Sequence, residues 1–319
     1  MPNSSTAAKP RLLILVPMTA AHRDEIAAHL EVLYAPDAKS RAAAIAEHGA
    51  GLDAVLTIGT IGLTAAEIDV LPKLSLVCTL GVGYEGVAVA HARARGIVVA
   101  NGAGTNDASV ADHAMTLLLA AVRGVRKFDA ACRAGVWRTE LPMPPGVSGK
   151  RLGILGFGAI GRRVAQRAAG FEMEVGYCTR TKRDHVPLRW FENVRELAAW
   201  SDFLVVATPG GPATKHLVNA EVLAALGPAG FLVNIARGSV VDTAALADAL
   251  RAGRVGGAGL DVYESEPAPP KELFEFENVV LTPHVAGQSP EAVQKTIARF
   301  ILNATRHFAG EAPVSPVES

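Results

Sequence analysis

Leu152-Gly-Ile-Leu-Gly-Phe-Gly-Ala-Ile-Gly161 is the stretch that decides how this chain folds. Its first four residues, Leu152 to Leu155, read as a buried strand. Gly156, Gly158 and Gly161 then form a G-x-G-x-x-G turn. Beyond them, Arg162 to Ala169 repeat apolar residues at helical spacing. Strand, glycine turn and helix in that order make a nucleotide site, whereas the glycines alone would mark only a turn. Gly156 permits the tight turn, Gly158 lets backbone approach a pyrophosphate, and Gly161 lets helix and strand pack closely. Phe157 lies inside the turn, and the amides of Ala159 and Ile160 face the phosphates with the positive end of the helix dipole.

Outward from this motif, short apolar runs alternate with longer amphipathic ones, the pattern of an α/β chain with parallel sheets. Strands are expected at Leu12–Val16, Val32–Tyr34, Ala54–Ile58, Leu76–Thr79 and Ile97–Val99, with helical patterns at Ala20–Leu30 and Ala42–His48 between them. A second series opens with an alanine- and leucine-rich helix, Val110–Val122. It continues with strands at Leu152–Leu155, Glu174–Tyr177, Phe203–Ala207, Gly230–Ile235, Gly257–Leu260 and Val279–Leu281. Pro290–Phe308 reads as a helix returning to the first domain, and the tail after Gly310 as an extended arm. The expected division is residues 1–101 plus 285–319 as a substrate domain and 102–284 as a dinucleotide-binding domain. Two crossings of this kind would leave a ligand cleft between the domains.

Composition excludes several classes. The 319 residues are 50% hydrophobic and 19% charged, with 31 basic and 31 acidic side chains, the profile of an ordinary globular chain long enough for two cores. Zero formal net charge supplies no global field for nucleic acid or an anionic membrane. The longest apolar stretches, such as Ala114–Val122, fall short of a membrane span. Met1–Pro10 is polar and is expected to be disordered, and no small-residue cleavage site follows the apolar run behind it, which argues against a secretory leader. Cys78, Cys132 and Cys178 are far apart and odd in number, which fits a reducing compartment, the cytoplasm.

The end of the second strand of the nucleotide domain bears on the cofactor. NAD sites usually carry Asp or Glu there to hold the ribose hydroxyls. Here Cys178 stands at about that position, followed by Thr179-Arg-Thr-Lys-Arg183, while Glu174 sits at the start of the strand. Arg180 can stack on adenine and pair with a 2′-phosphate, Thr179 can donate a hydroxyl hydrogen bond, and Thr181 and Lys182 extend the same loop. A solvated basic loop is the plainer alternative; the missing acid and the arriving cations together favour NADP.

Three more segments close expected strands, the edge at which α/β sheets collect ligands. They are Asn234-Ile-Ala-Arg237, Gly259-Leu-Asp-Val-Tyr-Glu-Ser-Glu266-Pro and Thr282-Pro-His284. Singly, Arg237 could be a surface ion pair, Glu266 a loop carboxylate and His284 a satisfied strand-end histidine. Together, behind a nucleotide fold, they compose a hydride-transfer site.

The pieces LGILGFGAIG, LVVATPGGPATKHLVN, LVNIARGSVVDTAALADAL, GGAGLDVYESEP and ENVVLTPHVAG make the chain resemble the D-2-hydroxyacid dehydrogenase family over nearly its whole length. Within that family, CTRTKR and the closing segments look most like NADPH-dependent glyoxylate and hydroxypyruvate reductases, a subgroup that includes hydroxyphenylpyruvate reductases. The resemblance implies two doubly wound parallel-sheet domains, one Rossmann-like and one flavodoxin-like. It implies His284 as the general acid, Glu266 as the carboxylate orienting it, and Arg237 as the group binding the 2-oxo acid. Val82 and Gly83, in Leu80-Gly-Val-Gly-Tyr84, would hold the substrate carboxylate through their amides. Thr208, Pro209, Ile235, Ala236, Asp261 and Gly287 complete the implied cofactor contacts, although Asp261 could instead cap a turn. Asp242 reads as the cap of a helix over Thr243–Leu250.

The family is usually dimeric, with Val110–Trp137 supplying the contact, and no cluster has zinc-ligand spacing. The crossing Asn101-Gly-Ala-Gly-Thr-Asn-Asp lacks the proline often present there, and Gly210-Gly-Pro-Ala replaces a more usual Leu-Thr-Pro-Glu. Two alternatives remain: another 2-oxo acid reductase, or a non-catalytic nucleotide-sensing protein on the same fold.

Overall fold

The computed structural model describes residues 8–317, so most of the polar opening segment, Met1–Ala7, lies outside the described residues. The chain divides into two units, one running through Asn106 and resuming at Ser289, the other Asp107–Gln288. Both crossings fall a few residues later than the sequence reading placed them. Val285–Gln288 stay with the nucleotide-type unit: the Val285 and Ala286 amides bond back to Asp261 at the end of that unit's sheet, and the Gln288 amide bonds to the Val285 carbonyl.

In the first unit, β1 (Arg11–Ile14), α1 (Ala20–Ala27), β2 (Glu31–Tyr34), α2 (Ala38–His48), β3 (Ala54–Thr57), α3 (Ala65–Asp69), β4 (Leu76–Thr79), α4 (Val89–Ala94) and β5 (Val98–Ala100) alternate as expected. The strands pair in the order β2-β1-β3-β4-β5, every neighbour parallel. This is the flavodoxin-like doubly wound order. β3 and β4 are buried along their whole length, so both sheet faces are covered. Asp37 and Thr64 start α2 and α3 through capping boxes, each side chain accepting the backbone amides that the first turn leaves free.

The second unit holds α5 (Asp107–Val122), α6 (Val125–Arg133), β6 (Arg151–Leu155), α7 (Ala159–Ala168), β7 (Glu174–Cys178), β8 (Arg189–Phe191), α8 (Val194–Trp200), β9 (Phe203–Val206), α9 (Ala220–Leu226), β10 (Phe231–Asn234), α10 (Thr243–Arg251), β11 (Gly257–Leu260) and β12 (Val279–Leu281). Its seven strands run β12-β11-β10-β9-β6-β7-β8, all parallel. That is the Rossmann order, with one strand added beyond the sixth. The order reverses between β6 and β9, where such sheets open a crevice for ligands. α5 buries its apolar stripe, including Val110, Ala114, Leu117 and Leu118, in this unit's core.

α11 (Pro290–Phe308) returns to the first unit as expected. Ser289 caps it by accepting the Ala292 amide at 3.1 Å, and Pro290 opens it. Ile297, Phe300 and Ala304 of α11 join Leu12, Ile14, Leu56 and Leu76 in one core. The tail behind it is tied down: Asn101 N donates to Ser315 O at 3.0 Å and Val317 N to Val99 O at 2.8 Å. It thus covers the free edge of β5 in antiparallel fashion. Among the described residues, no single helix is long and apolar enough to cross a membrane.

Candidate functional site

The glycine turn sits where sheet order reverses. Gly156 has φ +94°, and a Cβ there would lie 2.7 Å from the backbone of Ala207 and Thr208, the loop that follows β9. Only glycine lets these two loops meet. A Cβ on Gly161 would stand 2.3 Å from the Gly156 carbonyl oxygen, so α7 approaches the turn as closely as glycine allows. Gly158 is the contrary case, with nothing within 4 Å of its missing Cβ. Its side of the turn is open, and the amides of Phe157, Gly158, Ala159 and Ile160 find no acceptor among the described residues. Four free donors around an open cradle at a helix N-terminus fit the pyrophosphate of a dinucleotide. Phe157 offers the cradle its backbone alone, because its ring is buried against Tyr177 with centroids 4.6 Å apart.

β7 ends on Cys178, which is buried and accepts no role as an anion: burial foremost, and Glu196 besides, push its thiol up to about 11. The following loop is exposed at Arg180, Thr181 and Lys182. The Thr179 hydroxyl donates to the Thr181 carbonyl at 2.8 Å and so shapes the loop.

The second cluster gathers at the ends of β10, β11 and β12. Asn234, buried, accepts the Ala236 amide and donates to the Arg237 carbonyl, both at 3.0 Å, which fixes the backbone of Ile235, Ala236 and Arg237. Arg237 donates from a terminal nitrogen to the Ala236 carbonyl at 2.6 Å. Gly238 follows because a Cβ there would collide with the Tyr263 carbonyl carbon at 1.9 Å, so the arginine loop and the Tyr263–Glu266 turn lie in contact.

Glu266 Oε1 accepts the Tyr263 amide and Oε2 meets His284 Nδ1, each at 2.8 Å. With Nδ1 engaged as donor to the carboxylate, Nε2 has no partner among the described residues, and the side chain is 39% exposed. The Glu266 hydrogen bond raises His284 above the usual imidazole value, against burial and the Arg237 charge. Burial pushes Glu266 upward, but the His284 hydrogen bond, the Tyr263 amide and the Arg237 charge outweigh it and hold the carboxyl low. Each group thus favours the charged form of its partner, imidazolium against carboxylate, more than it would in isolation.

Asp261 proves to be a backbone brace. Its side chain, 1% exposed, accepts the Val285 amide on Oδ1 and the Ala286 amide on Oδ2, each at 2.9 Å, while its carbonyl accepts the His284 amide at 2.8 Å. Gly287 continues the same turn, and Thr208 and Pro209 follow β9 at the switch point.

In the first unit, Val82 and Gly83 lie in the loop after β4, and neither amide has an acceptor among the described residues. Asn101, which sequence reasoning passed over, donates to the Val82 carbonyl at 2.9 Å and accepts the Ala103 amide at 3.1 Å. Thr282, Tyr263 and His113 were likewise not singled out. Only the fold brings them to the strand ends, and His113 lies in a run that reads as core helix.

A Rossmann-type sheet with an open glycine cradle at its switch point, and an Arg–Glu–His set at its strand ends, is the architecture of a nicotinamide-dependent oxidoreductase. The chain belongs to the D-isomer specific 2-hydroxyacid dehydrogenase family, whose NAD-binding-domain model matches residues 115–286. It is 42% identical over 266 residues to the hydroxyphenylpyruvate reductase of Plectranthus scutellarioides, covering 83% of this chain and 85% of that one. A glyoxylate/hydroxypyruvate reductase of Arabidopsis thaliana is 36% identical over 307 residues, covering 96% and 98%. Among solved structures, an NADPH-dependent glyoxylate/hydroxypyruvate reductase from Sinorhizobium meliloti, in complex with NADP and malonate, matches with a TM-score of 0.90. It is 35% identical, over 97% of each chain.

Proposed function

We propose that the chain reduces small 2-oxo acids, glyoxylate and hydroxypyruvate first, to D-2-hydroxy acids with NADPH. The observation that carries this reading is the 2.8 Å Glu266–His284 pair, whose second ring nitrogen is left for a ligand. When bound, the reduced nicotinamide supplies a hydride to the carbonyl carbon. The amides of Phe157, Gly158, Ala159 and Ile160 hold the pyrophosphate, with Thr208, Pro209, Ile235, Ala236, Asp261 and Gly287 lining the path toward the reacting end. Arg237 binds the oxo acid and polarises its carbonyl, and the amides of Val82 and Gly83 take the carboxylate. His284 gives the proton on Nε2 to the carbonyl oxygen, and Glu266 keeps more of the ring protonated at neutral pH.

NADPH is favoured over NADH because β7 ends on a neutral thiol, with exposed Arg180 and Lys182 behind it that have no ion pair among the described residues. Thr179 and Thr181 shape that loop. The relatives' named substrates, oxo acids from glyoxylate to hydroxyphenylpyruvate, fit the same chemistry. A homodimer is part of the proposal, supported by Trp137 at 65% exposure beside the unburied helix α6. Light scattering tests it, and a monomer refutes it. The three free cysteines suit the cytoplasm.

Initial rates with NADPH and NADH on glyoxylate, hydroxypyruvate, pyruvate and 4-hydroxyphenylpyruvate, with a His284→Ala control, test the whole reading. NADPH-linked turnover of the two small acids, lost in the control, is expected. No turnover of any oxo acid, alongside tight dinucleotide binding, would overturn it in favour of a nucleotide sensor.

A further inference from the structure

His284 has φ +54°, a left-handed backbone that a non-glycine residue holds only when its surroundings impose it. What imposes it is Asp261, through its carbonyl on the His284 amide and its carboxylate on the next two amides. Asp261 in turn is held from behind. The Thr282 hydroxyl lies 2.6 Å from Asp261 Oδ1, and His113 Nε2 lies 2.8 Å from that hydroxyl and 3.5 Å from the same carboxylate oxygen. An ionised carboxylate only accepts, so the single hydroxyl proton goes to Asp261 and Thr282 must accept from His113. His113 therefore carries its proton on Nε2, and the chain of donors runs one way: His113 to Thr282 to Asp261.

We infer that His113 on α5, acting through Thr282 and Asp261, is a positioning residue for the proton donor of the reaction. It ties the long core helix to the turn that sets where the His284 ring stands. The Tyr263 hydroxyl, 2.6 Å from the Thr282 carbonyl, fixes the same residue from its other side. Tyr263 also gives its amide to Glu266, so one residue steadies both ends of the Glu266–His284 pair. The His284 ring is faced by Glu266, Arg237 and Asp261, and any drift of its backbone weakens the first of these contacts. Loss of the brace thus reaches chemistry without touching a ligand.

This rests on His284 being the proton donor, so the test carries a readout that needs no substrate. The pH titration of the His284 ring is followed by NMR in the ligand-free protein, in Thr282→Val, Thr282→Ser and His113→Phe. Val keeps the shape of Thr282 without its hydroxyl, Ser keeps the hydroxyl, and Phe keeps ring volume without a donor. His113→Phe is read in parallel, so an unfolded Thr282→Val does not end the test. We expect the titration to move to lower pH in Thr282→Val and His113→Phe, and to stay near wild type in Thr282→Ser. With an accepted oxo acid, kcat should fall on the order of 10- to 100-fold in the first two variants while KM changes little, the cost of a misplaced reacting group. An unmoved His284 titration in folded Thr282→Val and His113→Phe overturns the inference. Wild-type protein inactive on every oxo acid refutes the proposed function alone, since the NMR arm still decides this point.

Discussion

Gly158→Ala and Gly161→Ala, three residues apart, should fail in opposite ways. At position 161 the new Cβ meets the Gly156 carbonyl oxygen at 2.3 Å, so α7 must recede by about 0.7 Å to reach the 3.0 Å that real Cβ contacts respect. Overpacking of this kind costs about 1–3 kcal/mol, and the helix propensity of alanine returns about 1 kcal/mol of it. A net loss of up to about 2 kcal/mol lowers the melting temperature of a unit this size by up to about 8 °C. At position 158 the backbone is extended, with φ −80° and ψ −157°, and nothing lies within 4 Å of the added methyl. Stability there should stay within about 0.5 kcal/mol of wild type. The methyl instead occupies the cradle and displaces a phosphate from the turn amides. Losing one hydrogen bond to a charged group, worth about 1.5–3 kcal/mol, weakens dinucleotide binding roughly 10- to 100-fold. Thermal unfolding and NADPH fluorescence titration separate the two. Wild-type affinity in Gly158→Ala, or a raised melting temperature in Gly161→Ala, would refute this account of the turn.

Glu266→Gln should move the alkaline limb of the pH–rate profile to lower pH and cut kcat at least about 100-fold, because the neutral amide no longer favours the imidazolium; an unmoved limb counts against the pair. The raised His284 contributes stability that is complete below the ordinary 6.5 and lost as pH rises through its folded value. Glu266→Gln should therefore show a smaller stability gain than wild type when pH is lowered through that window, read by denaturant midpoints. Arg180→Ala should weaken NADPH about 10-fold or more and leave NADH unchanged, measured as separate kcat/KM values; an equal loss on both would deny Arg180 a phosphate. His216→Gln should keep kcat within about 3-fold of wild type while losing at most about 1 kcal/mol of stability, since its carboxylate partners lie near the surface. Asn303→Ala should destabilise the first unit by about 1–3 kcal/mol, as it strips the Val314 amide of its acceptor and the Asn101 carbonyl of a donor.

The fold was legible where strands are buried on both faces, because such strands read as continuous apolar runs: Ala54–Thr57, Phe203–Val206 and Phe231–Asn234 are of this kind. β8 escaped notice because Arg189-Trp-Phe191 is three residues long and pairs only with β7 at the sheet edge. α6 went unread although Val125, Phe128 and Cys132 recur at helical spacing; none of its residues is buried, so it joins no core. The site shows the same division. Arg237, Glu266 and His284 stand at strand ends and announce themselves by position. Asn101, Asn303 and Ser315 form one buried network, with Asn303 donating to Asn101 O at 3.3 Å and to Ser315 Oγ at 3.1 Å, and no local pattern links residues so far apart.

Geometry also separates two histidines that each meet a carboxylate of the same turn. The turn Tyr263-Glu-Ser-Glu266 offers two carboxylates, and each takes a histidine: Glu264 meets His216 at 2.7 Å and Glu266 meets His284 at 2.8 Å. Both histidines have positive φ, so backbone strain does not separate them. Their second nitrogens do. His216 Nδ1 faces Asp242 Oδ2 at 3.7 Å, and the Glu264 carboxylate is further held by the Thr243 amide and hydroxyl, so this set closes on itself at the start of α10. His284 uses only Nδ1, and its Nε2 has no partner among the described residues. A general acid needs one nitrogen held in place and the other available to the substrate. Arg237, whose charge reaches both Glu266 and His284, stands beside the open pair. The closed pair fastens the turn, and the open one is the pair that the proposed proton transfer would use.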